Sequence, residues 1–136
     1  YSLSYSDNYP KVIPFMKTWI IVGSLLAALA VILGAFGAHW LKARFSPEDL
    51  AIFETGVRYH IIHALSIILI GTLGFHVSTE VLKTPFIFFT IGIILFSGSL
   101  YVLVLSGARW FGVITPIGGV GFIAGWLLLA YNLWKG

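Results

Sequence analysis

Cysteine is absent from these 136 residues, which excludes disulfides, thiolate metal sites and cysteine nucleophiles. Charge is nearly as scarce: 8 Lys and Arg with 5 Asp and Glu make up 10% of the chain. With 59% hydrophobic residues and a mean hydropathy of +0.98, there is too little polar material to coat a soluble domain of this size. A net charge of +3 and a pI near 9.3 would suit nucleic acid, but the basic residues are scattered over every loop and both ends. No basic stripe exists to grip phosphates, so a nucleic-acid partner is not expected.

What the chain has instead is four long charge-free runs, 18–41, 59–79, 84–108 and 110–134. Each exceeds the roughly 20 residues that carry a helix across ~30 Å of hydrocarbon. Open strands would leave backbone groups unsatisfied in lipid, so the runs read as helices. The expected fold is all-α: a polytopic four-transmembrane-helix bundle with its spans at about 17–41, 57–77, 85–106 and 116–134. Lys17 followed by an apolar stretch resembles a secretory signal, but the stretch is too long for one. Met16 reads as a natural start, which makes 1–15 an N-terminal extension and 16–136 the membrane domain.

Local signals place the helix ends. Ser46 can cap a helix with Pro47 in its first turn and Glu48 and Asp49 near the positive end of its dipole. The mixed polarity that follows predicts a short interfacial helix over about 46–56, with Gly56 as its end or a bend. Pro85 is expected in the first turn of the third span and Gly107 at its end. Lys11, Lys17, Lys83 and Lys135 fall on one side of the bilayer, and Lys42, Arg44, Arg58 and Arg109 on the other. Four against four sets no orientation; counting from Met16 favours cytoplasmic loops 1 and 3.

The candidate functional residues form one polar cluster: His39, Glu54, Thr55, Arg58, Tyr59, His60 and His63. Glu54 and Arg58 stand at i,i+4 with the acid first, the favourable order on a helix. His63 lies about a turn inside its span, where an ionisable group needs a partner. It suits a packing hydrogen bond, a proton or ligand contact, or a metal or haem ligand. His60 and His63 share a helical face and His39 could add a third nitrogen, yet no Glu-x-x-His or HExxH pattern completes a metal site. No metal or other cofactor is therefore expected.

Small residues mark expected helix contacts: Ala30, Gly34 and Ala38 on the first span, Ser97, Gly98 and Ser99 on the third, and Gly118, Gly121 and Gly125 on the fourth. The glycines follow no strand and lack the lysine of a phosphate loop. No base or oxyanion arrangement surrounds Ser97 or Ser99, so no catalytic residue is assigned.

Several blocks occur in a telling order: Gly34-Ala35-Phe36-Gly37-Ala38-His39 with Leu41, Phe53-Glu54-Thr55-Gly56-Val57-Arg58-Tyr59 with His63-Ala64-Leu65, Phe96-Ser97-Gly98-Ser99-Leu100-Tyr101, Thr115-Pro116-Ile117-Gly118-Gly119, and Gly125-Trp126. Together they resemble the small membrane-protein family called domain of unknown function 423, over nearly everything from Met16 onward. The resemblance implies a four-span bundle in a bacterial inner membrane, with relatives in eukaryotes, and no established reaction. Trp40 stands where that family often has glycine, and residues 1–15 fall outside the likeness. The function expected is that of a non-enzymatic membrane protein, an accessory or structural subunit of a membrane complex or homo-oligomer. The rivals are a small transporter or channel component using the polar cluster, and a redox subunit binding haem, quinone or metal.

Overall fold

The computed structural model describes residues 5–136, and side chains from Ile13 onward except that of Ala38. Helix α1 (Tyr5–Ile32) passes through a π-helical turn (Leu33–Gly37) into the short α2 (Ala38–Lys42). After a tight connection comes α3 (Pro47–Leu73). Next, α4 (Thr79–Gly92) and α5 (Gly98–Ser106) are joined by a second π-helical turn (Ile93–Ser97). A 3-10 turn (Arg109–Val113) then leads to α6 (Thr115–Lys135). These elements make four helices long and apolar enough to cross a membrane: Ile13–Lys42, Pro47–Leu73, Thr79–Ser106 and Arg109–Lys135.

The spans pack unevenly. The first lies mainly along α3, α3 also meets α4 and α5, and α6 lies along α4. In consequence 44% of the apolar stretch is buried in each of the two middle spans, against 11% in the first and 22% in the last. A larger core joins Met16 and Trp19 to Ile67, Ile70, Leu82, Phe89, Ile93, Phe122 and Leu129. A smaller one, towards loops 1 and 3, holds Leu41, Phe53, Leu103 and Val104. Close approach of α1 to α3 depends on Gly71, where an added Cβ would stand 2.7 Å from Ile20 and 3.3 Å from the Met16 carbonyl.

The helix ends follow their local chemistry, with two corrections. The Ser46 hydroxyl accepts from the Asp49 amide at 3.2 Å with Pro47 in the first turn, and Gly107 takes a left-handed φ of 74° at the end of α5. The segment 46–56, however, is no separate interfacial helix, because α3 runs through Gly56 without a break. Gly56 serves a contact: a Cβ there would lie 2.9 Å from the Tyr101 ring, and its carbonyl accepts from the Ser97 hydroxyl at 2.7 Å. At ~1.5 Å per residue α3 is about 40 Å long, some 10 Å more than the hydrocarbon layer. Counted from Leu73, the hydrocarbon ends near Glu54, so the first turns of α3 occupy the headgroup zone.

The second correction concerns Pro85, which sits inside α4 rather than at its start, because the helix begins at Thr79 after Ser78. A proline there has no N–H to offer the Val81 carbonyl four residues back, which is left to accept from another donor. The structure answers with Asn132 of α6, whose amide donates to the Val81 carbonyl at 2.9 Å. We expect Asn132→Leu to destabilise the bundle by about 1 kcal/mol. In a Pro85→Ala background, where the helix amide is restored, the same change should cost much less. Unfolding in mixed micelles for the four proteins of this cycle measures the difference.

Candidate functional site

The seven residues of the polar cluster do not converge; they fall into three environments. The outermost is a hollow between the end of the first span and α3, about 290 Å³ in volume, lined by Ala35, His39, Lys42, Leu50 and Glu54. His39 and Glu54 are both exposed there, and they arrive from opposite sides because the tight connection folds α2 back beside the first turns of α3. Thr55 turns its hydroxyl to the Ala51 carbonyl at 2.9 Å, within its own helix. Arg58 is exposed and does not pair with Glu54. Among the described residues the one ion pair joins Asp49 to Arg109 at 2.8 Å, tying α3 to the loop before α6. Arg58 stands near the depth at which a long side chain can carry its charge to the headgroups.

The innermost environment is an aromatic box around His63, which is buried. The ring stacks on Phe122 at 3.6 Å between centroids and 11° between planes, with Phe89 in an edge arrangement at 5.3 Å between centroids. Its Nδ1–H donates to the Tyr59 carbonyl at 2.7 Å, and its Nε2 accepts from the Trp126 indole N–H at 3.0 Å. A carbonyl can only accept and an indole N–H can only donate, so these partners fix His63 as a neutral imidazole with its proton on Nδ1. Both nitrogens are committed, which leaves no lone pair for haem or metal. Tyr59, 40% exposed, closes the box with its ring 4.6 Å from that of Phe96.

Between them lies His60, 2% exposed, whose Nδ1 is 2.9 Å from the Tyr101 hydroxyl. Its Nε2 has no hydrogen-bond partner, and the Leu26 backbone of α1 lies close to the ring. A phenol that donates to Nδ1 leaves the proton on Nε2. His60 and His63 thus have different neighbours, and among the described residues no three His, Asp or Glu side chains gather as a metal set.

The small residues divide likewise. Ala30 is buried, and a Cβ on Gly34 would meet Val57 at 3.0 Å; the side chain of Ala38 lies outside the described residues. Because the π turn begins just before Gly34, four-residue spacing no longer marks one face beyond it. Ser97 crosses to Gly56, whereas Ser99 meets the Thr115 hydroxyl at 2.6 Å and so joins α5 to α6. Gly118 and Gly125 lie against Phe96 and Phe89, and a Cβ on Gly121 would stand 3.8 Å from the Gly92 Cα. A Cβ on Gly98 would meet nothing closer than 4.0 Å, so this glycine is not required by a tight contact. Sequence reasoning missed Trp126, Tyr101, Phe122 and Asn132 as partners; the donor groups of Trp126 and Asn132 within apolar helices were the available signal.

Comparison with known proteins agrees with this architecture. The family model described as "Protein of unknown function (DUF423)" matches residues 33–119, which include both π turns, the hollow and, of the aromatic box, Tyr59, His63 and Phe89 but not Phe122 or Trp126. A UPF0382 membrane protein of Staphylococcus haemolyticus is 42% identical over 120 residues, 88% of this chain and 98% of the relative. Another from Bacillus subtilis is 43% identical over 116 residues, 84% and 94% of the two chains. A third, from Staphylococcus epidermidis, is 46% identical over 114 residues, 84% and 93%. No solved structure matches the chain. With four membrane-capable helices, a family match over most of its length and relatives named as bacterial membrane proteins, this chain belongs to the DUF423 family of multi-pass membrane proteins.

Proposed function

We propose that the chain is a non-enzymatic helical bundle of the bacterial inner (plasma) membrane, acting as an accessory or structural subunit of a larger membrane complex or of a homo-oligomer. The observation that carries this reading is the thin engagement of the first span, of which 11% of the apolar stretch is buried. Its outward residues include not only bulky lipid-facing side chains such as Leu25 and Phe36 but also Ser24, Ala28 and Ala35. Small residues gain little from contact with lipid and much from contact with another helix. The committed partners of His63 support a packing role for the one deeply placed group that would otherwise invite chemistry. Helical spans also suit the inner membrane, since outer-membrane proteins span as closed barrels.

Purification in mild detergent followed by native mass measurement tests the proposal. The expected result is a particle heavier than one chain, shifted towards one chain by Ala28→Leu. A strictly monomeric particle with no co-purifying protein would sink it.

A further inference from the structure

We propose that the hollow between the first span and α3 seats one phospholipid with a primary-amine headgroup. Three polar side chains face this space, His39, Lys42 and Glu54. Lys42 and His39 bring N–H donors suited to a phosphate, while the Glu54 carboxylate can accept from an ammonium. The only ion pair among the described residues is Asp49 with Arg109, so Lys42 and Glu54 form no ion pair across the hollow. A ligand carrying a phosphate and an ammonium on one short linker complements both.

Depth and shape point to a lipid rather than a soluble metabolite. Glu54 lies near the hydrocarbon boundary by the length of α3, the level at which headgroups sit. Beside the polar hollow, and sharing Ala35 and His39 with it, is a second and mainly apolar recess of about 740 Å³, completed by Phe36, Gly37 and Trp40. It follows the π turn Leu33–Gly37, which interrupts the regular helical surface. A headgroup in the first hollow thus has a place for the start of an acyl chain in the second. Trp40 closes this recess while Arg44 covers its ring at 4.2 Å, which engages the neighbouring cation and leaves Lys42 for the phosphate. A trimethylated ammonium offers no N–H to Glu54, and a glycerol headgroup offers no positive charge. The proposal stands independently of the assembly reading above.

Native mass spectrometry of the full chain, stripped of lipid in mild detergent and titrated with phosphatidylethanolamine, phosphatidylcholine or phosphatidylglycerol, counts the lipid retained. We expect one phosphatidylethanolamine per chain, held about fivefold better than either competitor, the scale of one partly exposed charge-assisted bond. Glu54→Gln should erase that preference, Glu54→Asp should keep most of it, and Lys42→Gln should weaken phosphatidylethanolamine and phosphatidylglycerol together. Both positions are exposed, so the bundle itself is expected to persist, as circular dichroism checks. Equal retention of the three lipids, which is annular lipid only, overturns the proposal. So does an unchanged preference in Glu54→Gln, or equal binding of glycerophosphoethanolamine, which has the headgroup and no chains.

Discussion

Gly118→Val is expected to remove about 3 kcal/mol or more of stability and to separate α6 from the rest of the bundle. The reason is what a side chain at Gly118 would meet. Its Cβ would fall on the backbone of Phe96 and Leu95, in the π turn between α4 and α5. A colliding side chain can rotate away, whereas a colliding backbone can move only by shifting a whole helix. Because the helices gain no hydrophobic drive from leaving lipid for each other, the fit of such contacts carries much of their association. The neighbouring position is the control. A Cβ on Gly119 would lie 3.6 Å from the Phe96 ring, an ordinary contact, so Gly119→Ala should change stability by under about 0.5 kcal/mol. Unfolding of both variants by sodium dodecyl sulfate in mixed micelles, followed by circular dichroism, checks the contrast; equal stability for the two would remove the backbone contact from the account.

The second large effect is expected at His63. Replacing it by alanine empties the centre of the aromatic box, removes the stack on Phe122 and leaves the Trp126 indole N–H without its acceptor. Loss of a buried ring and of one interhelical hydrogen bond together should cost about 3 kcal/mol. The hydrogen-bond share can be isolated by a double-mutant cycle with Trp126→Phe, where a coupling of about 1 kcal/mol is expected. A His63→Ala protein as stable as the parent, yet altered in proton or ion flux after reconstitution, would return this residue to the transporter reading.

Much of the architecture was legible because lipid imposes so few solutions. Four charge-free runs of sufficient length became four spans, and the Ser46-Pro47 and Gly107 signals marked real helix ends. The readings that failed share a cause: local propensity was overruled by a partner distant in sequence. Gly56 looked like a break, but Tyr101 needs the space that its missing side chain leaves. Pro85 looked like a beginning, but Asn132 supplies the donor that lets a helix run through it. The polar cluster was drawn together from proximity along the chain, yet α3 distributes its side chains around its axis. His39 and Glu54 therefore line one hollow while His60 and His63 turn to different helices. The π turns left no trace in composition, since one extra residue per turn is a matter of geometry and not of residue type.

The neutrality of the His63 tie also has an electrical consequence. A charge displaced through the bilayer exchanges about 2.3 kcal/mol with each 100 mV of membrane potential, but a neutral ring exchanges none. Opening or closing the box between α3 and α6 would therefore carry no gating charge of its own. The brace itself thus carries no charge for the membrane potential to act on, and any gating charge of the protein must come from its charged residues at the ends of the spans.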